Sequence, residues 1–212
     1  MTEAMKKAFQ GVYAGSQWGR YQGRAFSGAG STPEITKGYR SLLERLFKEK
    51  NISSVLDAPC GLWTFSQLLD WGPVQRYTGI DITLPEFRFQ AQSITSERLP
   101  PADLIITKDA LQHLPNSEVA VYLGRVLSKS ELGRCRYRYL LITNDILPDA
   151  RKNNHDIRAG GWRHIDIRQA PFNVSAEVVY QFSSYAQYKT TLLVDLSKPP
   201  WNCTLFDTDI IR

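Results

Sequence analysis

Ser53–Trp63 reads Ser-Ser-Val-Leu-Asp-Ala-Pro-Cys-Gly-Leu-Trp, a short apolar run that closes on an acid and then breaks at Pro59 and Gly61. Beyond the break, Phe65, Leu68 and Leu69 recur at helical spacing within Thr64–Asp70. Strand, turn and helix in this order open a nucleotide-binding βαβ unit. A small residue in the turn lets a ligand approach the backbone closely, and Asp57 sits where the strand ends.

The rest of the chain extends this pattern. Thr32 and Pro33 form a helix start, followed by one apolar stripe of Ile35, Tyr39, Leu42, Leu43, Leu46 and Phe47. Gln75–Asp81 is a second strand, Asp103–Thr107 a buried parallel-type strand and Tyr139–Thr143 the next. Asn116 caps a helix with Val119, Tyr122, Leu123, Val126 and Leu127 on one face. Phe87–Ala91 has strand character, but only Ile82–Glu86 separate it from the second strand. A parallel crossover normally takes a dozen or more residues, and five span at most about 17 Å. Either the crossover helix is missing there or the stretch pairs in another way.

Val178–Phe182 and Thr190–Leu196 suit a terminal antiparallel pair. Together these elements predict an α/β fold, a Rossmann-like three-layer sandwich with a mostly parallel sheet and a C-terminal antiparallel strand pair. At 212 residues and 42% apolar content, one core and a single domain over 1–212 are expected. Residues 1–31 read as an irregular N-terminal arm or lid, because Tyr13, Trp18, Tyr21 and Phe26 lie among glycines without periodicity. Residues 147–176 read as a long polar loop on the substrate side, with Gly160, Gly161, Trp162 and Phe172 clustered in it.

Charge and cysteines narrow the setting. The net charge of +5 is spread from Lys6 to Arg212, which reads first as surface bias. Cys60, Cys135 and Cys203 are an odd count without a Cys-x-x-Cys pair, so reduced thiols in a cytoplasmic protein are expected. No stretch has signal-peptide character or the roughly 18 apolar residues of a membrane span. The carboxylates and histidines show no metal-ligand spacing, so no metal is expected.

Ligands of open α/β sheets bind at the carboxyl ends of strands. Here those ends carry Asp57, Asp81, Lys108-Asp109 and Asn144-Asp145. Asp57 and Asp81 stand 24 positions apart (81 − 57), close to the spacing of a glycine turn and a ribose-binding acid. The turn nevertheless lacks Gly-x-Gly-x-x-Gly: only Gly61 remains, and Pro59 has no N–H to offer a pyrophosphate. A cofactor without phosphates fits better.

At these residues the chain resembles the class I S-adenosylmethionine-dependent methyltransferases. Leu56-Asp57-Ala58-Pro59-Cys60-Gly61 is similar to their first motif, and Tyr77-Thr78-Gly79-Ile80-Asp81 to their second-strand ending. Ala102 through Leu114 is similar to their fourth-strand motif and the turn beyond it. More narrowly, Gly28–Ser31, Trp63, Leu111–Pro115, Asn144–Ile146 and Asp156–Phe172 resemble small methyltransferases encoded near bacterial surface-polysaccharide genes. The resemblance implies S-adenosylmethionine as cofactor, held by Asp57, Ala58, Pro59, Cys60, Gly61, Trp63, Asp81, Ile82, Lys108, Asp109 and Ala110. Ser93 stands where the family usually has a third-strand acid, and Phe87 or Phe89 is left to wall the adenine.

Methyl transfer to an alcohol needs a positioned nucleophile and a proton acceptor. His113, just past the fourth strand, is the candidate base; His155 competes with it, and Lys108 and Asp109 line the cofactor or orient His113. Asn144, Asp145, Asp156, Gly161, Trp162 and Arg163 are the substrate-side candidates, the last two suited to stacking on and clamping a sugar, phosphate or carboxylate. Trp18 and Ser31 are placed to close over the cofactor. The expected reaction is methyl transfer to a hydroxyl of a sugar or polar small molecule or glycan. One alternative is an RNA or DNA methyltransferase, suggested by Arg134–Arg138 but disfavoured by Lys108-Asp109-Ala110-Leu111 in place of a base-amine motif. A cofactor-binding, non-catalytic partner subunit is the other.

Overall fold

The structure is a computed structural model that describes residues 3–25, 27–82, 90–95, 99–128, 135–185 and 187–197. Helix α1 spans Glu3–Ala14, and a two-residue hairpin, Arg20–Tyr21 with Arg24–Ala25, follows it. The expectation of an irregular arm is therefore corrected over its first half. Helix α2 is Lys37–Glu49 and helix α3 is Asn116–Leu127.

Seven strands form one sheet: β1 Ser54–Asp57, β2 Arg76–Asp81, β3 Gln90–Ala91, β4 Leu104–Lys108, β5 Tyr139–Asp145, β6 Glu177–Ser184 and β7 Gln187–Asp195. Their order across the sheet is β3-β2-β1-β4-β5-β7-β6. The first five run parallel, β7 is antiparallel to β5, and β6 closes the edge antiparallel to β7. The order reverses between β1 and β4, and a crevice opens above such a switch point at the carboxyl ends of the strands.

Period-two alternation makes the sheet the middle of three layers. Leu104 and Ile106 face α2 with Tyr39, Leu42, Leu43, Leu46 and Phe47. Ile105, Leu140 and Ile142 face α3 with Val119, Tyr122, Leu123, Val126 and Leu127. Each such aliphatic side chain contributes on the order of 2 kcal/mol by leaving water.

Three local readings change. The helix predicted from Pro33 begins at Lys37; residues 33–36 are a turn in which Thr36 Oγ1 donates to the Thr32 carbonyl at 2.7 Å. The helix predicted over Thr64–Asp70 is one 3-10 turn, Ser66–Leu68, and Leu68 is 46% exposed. Gly72-Pro73 follows too closely for a helix to continue, and Trp71 stacks on Phe47 at 5.6 Å. The third strand does pair in parallel, with Ile80 opposite Gln90 and Asp81 opposite Ala91. Re-entry at the same end that β2 leaves removes most of the return path, so no full crossover is needed. The proposed adenine-wall residues Phe87 and Phe89 lie outside the described residues.

Among the described residues, no helix is long and apolar enough to cross a membrane. Cys60 is a buried free thiol, and Cys203 lies outside the described residues.

Candidate active site

A cleft lies at the ends of β1, β2 and β4. Of the sequence-predicted residues, Asp57, Pro59, Cys60, Gly61, Asp81, Ile82, Lys108, Asp109, Ala110 and His113 line it.

Asp57 closes β1 and is buried. Its Oδ2 accepts from Tyr77 Oη at 2.8 Å and Ser66 Oγ at 3.5 Å, and among the described residues no ion pair holds it. Burial pushes its pKa up to about 7; the Tyr77 hydroxyl opposes the rise and the Asp81 charge adds to it. Asp81 closes β2 and accepts the Gly61 N–H at 3.0 Å. The turn is thereby tied across the switch point. Gly61 has φ +53°, and a Cβ on it would stand 2.5 Å from Ser27 Oγ, which itself accepts the Leu62 N–H. Cys60 holds its N–H on the Ile80 carbonyl at 2.9 Å, and burial drives its thiol pKa far up, so it is an inert wall.

Ala58 and Trp63 do not line the cleft. Ala58 is fully buried and donates its N–H to the Ile106 carbonyl, while Trp63 packs against Tyr77 at 5.9 Å. At the β3 end, Gln92 and Ser93 line the cleft, and Ser93 Oγ accepts the Thr95 N–H at 3.1 Å.

Beside Asp57 and Asp81 runs a buried chain of alternating charges. Lys108 Nζ donates to the Gly30 carbonyl at 2.8 Å and contacts Asp109. Lys189 Nζ bridges Asp109 Oδ1 at 2.8 Å and Asp145 Oδ1 at 2.9 Å, and Asp145 Oδ2 accepts Trp162 Nε1 at 3.2 Å. Burial works to raise the Asp109 pKa, but Lys108 and Lys189 bring it down to about 2. Asp109 is thus a fixed anion, not a proton acceptor at neutral pH. Burial acts to lower the Lys189 pKa, yet Asp109 and Asp145 leave it raised. Lys189 escaped the sequence reading; its signal is a lysine just before the apolar run Thr190–Leu196, where strand β7 points inward.

His113 lines the cleft one turn beyond β4. Its Nδ1 is 2.7 Å from the Gly161 carbonyl. A carbonyl only accepts, so Nδ1 carries the proton and the neutral ring keeps its lone pair on Nε2. Burial holds its pKa below 6.5, opposed by the Gly161 bond and the Asp109 charge. Trp18 packs on the imidazole at 4.9 Å, and Phe9, Tyr13 and Ser31 complete the wall contributed by the N-terminal segment.

The substrate-side residues are placed differently from the expectation. Arg163 is fully buried and donates to the Leu111 carbonyl at 3.0 Å and Asn116 Oδ1 at 2.8 Å, so it fastens the loop. Asp156 is exposed and accepts the Asn116 N–H at 2.8 Å, at the start of α3. Asn144 and Asp145 are buried in β5, and Gly161 serves through its carbonyl. Trp162 is 42% exposed outside the cleft lining, held by Asp145. His155 is exposed and does not line the cleft. Among the described residues, no group of three or more His, Cys, Asp or Glu is placed to hold a metal ion.

No protein-family model and no curated protein sequence matches the chain. Solved structures do. The 1,6-didemethyltoxoflavin-N1-methyltransferase of Burkholderia thailandensis, with bound 1,6-didemethyltoxoflavin and S-adenosylhomocysteine, aligns over 92% of this chain and 88% of its own, at TM-score 0.60 and 12% identity. Magnesium protoporphyrin IX methyltransferase from Synechocystis, with S-adenosylhomocysteine, aligns over 89% and 98%, at TM-score 0.57 and 16% identity. The N-methyltransferase NodS from Bradyrhizobium japonicum, also with S-adenosylhomocysteine, aligns over 79% and 89%, at TM-score 0.54 and 13% identity. The fold is that of the class I methyltransferases.

Proposed function

We propose that this chain is an S-adenosylmethionine-dependent methyltransferase that methylates a hydroxyl of a sugar or other polar small molecule. The observation that carries the reading is that one cleft gathers Asp57, Gly61 and Asp81 at one end and a neutral, oriented His113 at the other. Similar folds crystallised with S-adenosylhomocysteine support the choice of cofactor.

The residues fit that cofactor. Asp81 is a strand-end carboxylate suited to ribose hydroxyls. Asp57, a buried acid bonded only by hydroxyls among the described residues, suits the amine of the amino-acid tail. Gly61 keeps the approach clear where a Cβ would crowd Ser27. When bound, the cofactor supplies an electrophilic methyl on a sulfonium. His113 takes the acceptor's hydroxyl proton at Nε2, and Gly161 holds the ring in the required tautomer. Phe9, Tyr13 and Trp18 exclude water from the reacting end. The Lys108–Asp109–Lys189–Asp145 chain keeps β4, β5 and β7 in register beneath it. The test is transfer of labelled methyl from S-adenosylmethionine to pooled sugars and hydroxylated small molecules. Label should enter an acceptor and be lost with His113→Ala; protein that binds the cofactor but labels nothing is a non-catalytic binder.

A further inference from the structure

We infer that the acceptor end of the cleft takes an uncharged molecule whose ring stacks against the N-terminal aromatic wall, and rejects phosphorylated or carboxylated acceptors. This rests on reading the cleft as a methyl-transfer site. The first observation is the wall itself. Trp18 lies 4.9 Å from the His113 ring at an interplanar angle of 39°. Tyr13 meets Trp18 edge-on at 5.2 Å, and Phe9 stands 6.2 Å from Trp18. All four rings line the cleft, so an acceptor hydroxyl at His113 has aromatic side chains beside it. Flat aromatic rings and the C–H faces of sugars both pack on such surfaces.

The second observation is charge. At the His113 end of the cleft the described charged lining residues are one acid, Asp109, and one lysine, Lys108; Asp57 and Asp81 stand at the cofactor end. Lys108 is already bonded to the Gly30 carbonyl and Asp109. Behind it, Lys189 is shared between Asp109 and Asp145; Arg163, whose terminal nitrogens are held by Leu111 and Asn116 and whose Nε has no partner, does not line the cleft. Among the described residues, no unpaired cation lines this end. A phosphate or carboxylate there would lose its water and find every nearby cation already paired.

The test titrates the protein, with and without saturating S-adenosylhomocysteine, against two matched probe pairs. These are catechol with 3,4-dihydroxybenzoate, and methyl glucoside with glucose 6-phosphate. A neutral probe is expected to bind in the millimolar range or better, with its anionic partner weaker by about tenfold or more. Trp18→Ala should weaken the neutral probe by roughly tenfold, and Trp18→Phe should retain most of the affinity. Whether catechol or the glucoside binds tells an aromatic acceptor from a saccharide. Equal or tighter binding of an anionic probe, no neutral binding at roughly 10 mM, or neutral binding indifferent to Trp18→Ala would overturn the inference. Failure of S-adenosylhomocysteine to bind would instead overturn the methyl-transfer reading, and the cofactor-free titrations would still decide this one.

Discussion

His113 Nδ1 stands 2.7 Å from the carbonyl oxygen of Gly161, a residue 48 positions later in the chain. The long loop therefore sets the protonation pattern of the proposed base. Replacing His113 by alanine should lower the methyl-transfer rate by about 10²–10⁴-fold and change S-adenosylhomocysteine affinity by no more than about threefold. Single-turnover rates and calorimetry on the same variant separate the two effects.

The same histidine predicts the acid side of the rate profile. Burial holds its pKa below 6.5, and only the neutral ring accepts a proton. At saturating S-adenosylmethionine, activity should hold from neutral pH downward until it falls with a midpoint below 6.5. An acid limb centred at 7 or above that persists at saturating cofactor would show that another group is the base.

Asp57 predicts a pH dependence of cofactor affinity. Its pKa rises from an ordinary 3.8 to about 7 in the folded chain, because burial disfavours the charge. Its neutral form is favoured on folding, so this group's contribution to stability is present at low pH and lost as pH climbs from about 4 to about 7. A cationic amine beside it favours the anion. Affinity for S-adenosylhomocysteine should therefore rise about tenfold between pH 6 and 8, and Asp57→Asn should flatten that dependence.

Lys189 stands between two acids, and Asp145 is fully buried. Lys189→Met would leave both carboxylates without their shared cation, a loss of about 3–5 kcal/mol. Thermal unfolding should shift down by roughly 10 °C for a chain of this size. Adding Asp145→Asn should recover part of the loss; a single variant as stable as the parent would remove the network from the account.

Gly30 packs the N-terminal segment onto this network. A Cβ there would lie 2.7 Å from Lys189 Cε and 3.0 Å from Asp109 Oδ2, two side chains already pinned by ion pairs. Gly30→Ala should destabilise by about 1–3 kcal/mol, measured by denaturant unfolding.

Strand ends were legible because each joins an apolar run to a polar closure: Asp57, Asp81 and Lys108-Asp109 all reached the cleft that the switch point predicts. The apolar stripes of α2 and α3 were legible for the same reason, since 3.6-residue periodicity over three turns has few other readings. Thr64–Asp70 misled because two turns of apolar spacing also fit a single turn whose ends fold inward. Helix α1 escaped because the glycines of the following stretch drew it into the irregular reading. On the substrate side, Arg163 and Asp156 carry the right chemistry for binding but spend it inside the protein, on Leu111, Asn116 and the start of α3. Composition does not show which polar groups are already satisfied. Lys189 is the converse, a lone charge in a strand whose partners lie 80 and 44 positions earlier.

The central claim is that the β1 and β2 ends hold an amino-acid-tailed nucleoside. Isothermal titration of S-adenosylhomocysteine into the parent chain and Asp81→Ala tests it most directly. Saturable one-to-one binding by the parent is expected, with a loss of about tenfold or more in Asp81→Ala, because the buried carboxylate proposed to hold the ribose hydroxyls is removed. No binding by the parent at millimolar ligand, or an unchanged affinity in the variant, would contradict it.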